Sequence, residues 1–231
     1  MAKNTDKNEK ILFINFKNYR EATMENALPL AKTAEKVSKG SRAKIILVVN
    51  AVELALVAKS VSIPVFAQHI DFDELGKGTG KILPEVAKYY GAKGTVLNHA
   101  ENKISDEQLQ KCIARAKQIG LKVMVCAEDI GRAKKIASMP QKPELIAVEP
   151  PELIGGDISV STAQPEIISD TVREIKKIAP EIKVICGAGI KNSFDVKKAI
   201  ELGAEGVFVA SGIIKAADKE KAIRELVQGF D

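Results

Sequence analysis

Tryptophan is absent, and the only aromatic residues are seven Phe and three Tyr. A core without large rings must be mainly aliphatic, as the cores around buried parallel strands are. The three cysteines, Cys112, Cys126 and Cys186, lie far apart and form no CxxC pair. That excludes a zinc ribbon or disulfide framework and fits a reducing compartment. No apolar run approaches the ~20 residues that span a bilayer, and no signal peptide is visible. The expectation is a cytoplasmic protein with no membrane partner. The net charge of +5 is not gathered into a basic run. Lysines alternate with glutamates, as in Glu174-Ile-Lys-Lys177, which reads as solvated helix faces and weighs against a nucleic-acid partner.

What is present is ordinary globular material, 45% hydrophobic and 28% charged, enough for a sizeable core. Short apolar runs recur at Ile11–Ile14, Ile45–Val49, Pro64–Ala67, Gly94–Leu97, Lys122–Cys126, Leu145–Val148, Lys183–Cys186 and Gly206–Val209. Between them lie amphipathic helical patterns, predicted over about Thr23–Ser38, Ala51–Ser60, a stretch ending at Tyr90, Ile130–Ala137, Pro165–Ile178, a helix capped by Ser193 and running to Leu202, and Ala217–Gln228. Ser105-Asp-Glu-Gln108 has capping-box spacing and opens the helix that Gly120 stops. Strands alternating with helices imply parallel pairing. Eight such units in a chain near ~250 residues point to a single (β/α)8 barrel over 11–231, with residues 1–10 a frayed leader. Neither GxGxxG nor GxxxxGK[ST] follows a strand, which weakens an open nucleotide-binding sheet.

A closed barrel gathers the C-terminal ends of its strands on one face, where its chemistry sits. At those ends stand Asn15 and Lys17, His99 and Glu101, and Glu149. Glu149 precedes Pro150-Pro151, which stiffens its exit, and then Gly155-Gly156. Taken alone, this stretch reads first as a solvated acid before a turn; on a barrel it suits a general base under a lid. His69, the other histidine, shows no role. Gly187-Ala188-Gly189 and Ala210-Ser211-Gly212 expose backbone amides where the loops after strands seven and eight build anion sites.

Together, Asn15-Phe-Lys17, Asn98-His-Ala-Glu101, Val148-Glu-Pro-Pro-Glu-Leu-Ile-Gly155, Cys186-Gly-Ala-Gly189 and Ala210-Ser-Gly212 resemble triosephosphate isomerase, and more narrowly its short archaeal branch. The resemblance implies an isomerase of glycolysis and gluconeogenesis acting on a small triose phosphate. Glu149 would be the base and His99 the neutral electrophile. Lys17 would supply positive charge, Asn15 would position the substrate, and Glu101 would orient Lys17 and His99. Ile154, Gly155, Gly187, Ala188, Gly189, Ala210 and Ser211 would hold the phosphate. No metal or other cofactor is implied. Thr79, in the loop after strand three, would reach a neighbouring subunit, implying a homotetramer or a homodimer. The lid departs from the family at Gly156-Asp157, where an acid implies weaker substrate binding or altered closure. Ala100 stands where a serine is common. The alternatives are another phosphate-binding barrel, such as a sugar-phosphate epimerase or a prenyl-glycerol-phosphate synthase, and a barrel that binds without turnover.

Overall fold

A computed structural model describes residues 9–150 and 164–231. The strands are β1 (Ile11–Asn15), β2 (Lys44–Val49), β3 (Val65–Ala67), β4 (Gly94–Leu97), β5 (Lys122–Ala127), β6 (Leu145–Val148), β7 (Lys183–Cys186) and β8 (Gly206–Val209). They pair in chain order, all parallel, and β8 closes on β1. The expected (β/α)8 barrel is therefore what the chain forms.

Side-chain alternation divides the apolar material into two layers. Phe13, Phe66, Met124 and Phe208 fill the barrel interior, with Phe13 edge-on to Phe66 at 5.6 Å and to Phe208 at 6.2 Å. Three of the chain's ten aromatics thus sit inside the barrel. The opposite faces, including Leu12, Ile14, Leu47 and Val123, pack beneath the helices. Gly94 leaves space for the interior ring: a Cβ there would lie 2.4 Å from Cζ of Phe66.

The helices depart from the sequence expectation mainly at their starts. The first begins at Ala27, not Thr23, after two 3-10 turns at Arg20–Ala22 and Met24–Asn26. The cause lies in another βα unit. The Glu53 carboxylate accepts the Thr23 hydroxyl and the Met24 N–H, and Met24 takes φ 53°, outside the helical region. The second helix starts at Leu54, not Ala51, because Asn50 Oδ1 accepts the Glu53 N–H three residues on, a local bond that holds the residues between them in a turn. Asn192, not Ser193, caps the helix Ser193–Glu201, accepting the Asp195 N–H. The last helix runs Lys219–Gln228, starting two residues after Ala217 because Asp218 caps it, and a separate turn of helix at Ser211–Ile214 was not expected. Ser105 and Gln108 do form the reciprocal capping box expected of them.

Among the described residues no helix is long and apolar enough to cross a membrane. The lid residues Ile154, Gly155, Gly156 and Asp157 lie outside the described residues.

Candidate active site

Strand ends carry the candidate groups into one cleft of about 430 Å³, lined among others by Asn15, Lys17, His99, Glu149, Gly187, Gly189, Ala210 and Ser211. Eight of the positions singled out in the sequence are thus brought together. Ala188 is not among the lining residues; it is buried in the layer under the helices. Glu101 reaches the site through Lys17, and Ile154 and Gly155 are outside the described residues.

Glu149 ends the β6 run, its N–H continuing the ladder to Ala127 O at 2.8 Å. It is 4% exposed, which for a carboxylate is costly. Burial pushes its pKa up to about 7, against the pull of a hydrogen bond from the Cys126 thiol and of the Lys17 charge, while Glu101 adds to the rise. Oε2 makes no hydrogen bond among the described residues. Gly187 is what admits the side chain: a Cβ there would stand 2.3 Å from Glu149 Cγ.

His99 follows β4 and is nearly buried, its ring edge-on to Phe208 at 6.3 Å. The Glu101 N–H donates to Nδ1 at 3.1 Å. That assigns the proton of a neutral ring to Nε2. Nε2 lies 3.9 Å from Glu149 Oε1, too far for a hydrogen bond, and has no hydrogen-bond partner among the described residues. Burial holds the imidazole below its ordinary pKa, Lys17 adds to the lowering and Glu101 opposes it, so the ring is neutral at pH 7.

Lys17 has its backbone in the left-handed region at φ 46°, a strained position for a lysine. Both its peptide groups are tied: its N–H donates to Asn15 Oδ1 at 3.0 Å, and its carbonyl accepts Gln68 Nε2 at 2.9 Å. The ammonium meets Glu101 Oε1 at 2.7 Å, with the lysine side chain 12% exposed and the glutamate 61%. The glutamate's exposure screens the pair, leaving the cation's field available on the cleft side. Cys126 and Gln68 were missed in the sequence. No local pattern marks a strand-end thiol or a lone amide; only their cross-strand neighbours do. His69 lines an adjoining hollow with Nε2 3.8 Å from Asp71 Oδ1.

The arrangement is a buried carboxylate facing a neutral imidazole N–H, with a cation on one flank and the small-residue loops after β7 and β8 on the other. It can take a proton from carbon while polarising an adjacent oxygen. Glu149 must be ionised to act, so kcat/KM is expected to fall about tenfold per unit as pH drops below about 7. Cys126→Ala removes the donor that favours the ionised form and should move that limb to higher pH; an unmoved limb in the pH–rate profile would exclude the thiol from this role.

The family model described as triosephosphate isomerase matches residues 10–228. The triosephosphate isomerase of Methanocaldococcus jannaschii is 45% identical over 94% of this chain and 99% of its own length. That of Methanothermus fervidus is 44% identical over 94% of this chain and 97% of its own, and that of Pyrobaculum islandicum is 46% identical over 94% of both.

Proposed function

The chain belongs to the triosephosphate isomerase family, in its archaeal branch, and interconverts D-glyceraldehyde 3-phosphate and dihydroxyacetone phosphate; from that premise we propose the role of each side chain in the cleft. Glu149 removes the proton from the carbon beside the carbonyl and returns it to the neighbouring carbon. The neutral His99 donates from Nε2 to the substrate oxygen and moves a proton between the two oxygens of the enediolate. Such a base-and-neutral-imidazole pair is the worked case from which this acid–base logic is usually taught, and its tuning is not new to this chain. Lys17 balances the negative charge that develops on those oxygens, Asn15 and Gln68 hold Lys17 in its left-handed turn, and Glu101 orients it. Gly189, Ala210 and Ser211, with backbone near Gly187 and Ala188, receive the phosphate.

One observation carries this reading: a buried carboxylate raised to about 7 stands 3.9 Å from an imidazole nitrogen that has no hydrogen-bond partner among the described residues. A coupled assay of triose phosphate interconversion tests it, and a parent protein without turnover would overturn it. In the same assay Lys17→Ala should lower kcat/KM roughly 100-fold, as removal of one charge-stabilising donor does elsewhere, with KM raised. A change under twofold would remove Lys17 from the site.

Self-association as a homotetramer, or as the smaller homodimer, belongs to the same proposal. In the loop after β3 Thr79 is exposed, and so is the apolar Leu75 at 67%. An apolar groove of about 600 Å³ runs between helices Leu54–Ser60 and Pro84–Tyr89. Both favour a protein partner over bulk solvent. Three separated, buried cysteines favour a cytoplasmic location.

A further inference from the structure

Asn98 has no part in the proton transfers above, yet it occupies the left-handed region at φ 58° and is buried at 4% exposure. Asn tolerates that region better than most residues, and here it uses both ends of its amide. Nδ2 donates to the Cys126 carbonyl at 3.0 Å, and Oδ1 accepts the Ile104 N–H at 3.2 Å. The first bond crosses to β5 at Cys126 itself, the residue whose thiol pulls the Glu149 pKa down against its burial. The second closes the loop that starts at His99. One rigid group therefore links the backbone that aims the imidazole to the backbone that supports the carboxylate's partner.

We propose that Asn98 is a positioning residue for the isomerisation, its left-handed turn and two-ended amide setting the spacing between His99 Nε2 and Glu149 Oε1. The inference rests on the roles given above to His99 and Glu149. Asn98 acts on kcat without touching substrate, through the geometry of the pair.

Two variants separate the turn from the amide. Asn98→Gly keeps access to positive φ and removes both side-chain bonds. Asn98→Ala removes the bonds and strains the turn as well. Steady-state kinetics should give kcat lowered roughly 10- to 100-fold in Asn98→Gly, as for a sub-ångström to ångström misplacement, with KM within about twofold and a larger loss in Asn98→Ala. In a His99→Gln background, Asn98→Gly should lower kcat no further, because the ring it aims is gone. If Asn98→Gly retains kcat while its Tm falls, Asn98 merely braces the loop and the proposal is overturned. Losses that multiply in the double variant overturn it equally. If His99→Gln alone leaves kcat unchanged, the role of His99 fails and the proposal with it, an outcome distinct from a failure at Asn98.

Discussion

Glu149→Gln should lower kcat/KM by roughly 10²- to 10⁴-fold, the usual weight of a general base, and at the same time raise the Tm above neutral pH. The two effects have one cause. The folded state lifts this carboxyl from the ordinary 4.5 to about 7, so the protonated form is the one the fold prefers. Stability from that preference is fully present below 4.5 and is lost as pH rises through 7. An amide carries no charge at any pH and escapes the loss. The Tm difference between variant and parent should therefore be small near pH 4.5 and favour the variant at pH 8. Glu149→Asp keeps the charge but withdraws it by one methylene, and roughly 100-fold in kcat is expected from that displacement. Calorimetry at the two pH values together with the coupled assay checks both halves. A full rate in Glu149→Gln would remove the base assignment, and a Tm difference that does not depend on pH would remove the burial argument.

Gly187→Ala is expected to damage the site directly, with a single added methyl. Its Cβ would stand 2.3 Å from Glu149 Cγ, a distance that real atoms do not tolerate, and tightly at 3.0 Å from Cδ and 3.1 Å from the Val148 carbonyl. Either the carboxylate swings out or the β6–β7 pairing opens. Overpacking of this kind costs about 1–3 kcal/mol, and moving the base by an ångström costs roughly 100-fold in rate. The kinetics also separate two roles for this glycine. If it serves the phosphate, KM rises and kcat is kept. If it makes room for the base, kcat falls, and the pH limb moves down as the carboxylate gains solvent. The contact favours the second result; a variant with raised KM and parental kcat would restore the first.

Much of this protein was legible before folding. The eight apolar runs are strands because buried parallel strands are apolar on both faces, and their starts and ends barely moved. Ser105 to Gln108 capped its helix as spaced, since a cap needs only residues three apart. Lys17, His99 and Glu149 could be picked out because a barrel sends the residues at its strand ends to one face. What the sequence alone determined was therefore what depends on period and neighbours along the chain. Tertiary structure decided everything that depends on groups brought together from different units. The carboxylate of Glu53 delayed a helix that begins after Thr23. The room for Glu149 is a missing methyl on β7's exit, read as a phosphate amide when seen only in line. The Cys126 thiol and the amides of Gln68 and Asn98 acquire meaning from the strands beside them. The base itself shows the division: its place at a strand end was written in the chain, but its pKa near 7 comes from burial by residues the chain keeps far away.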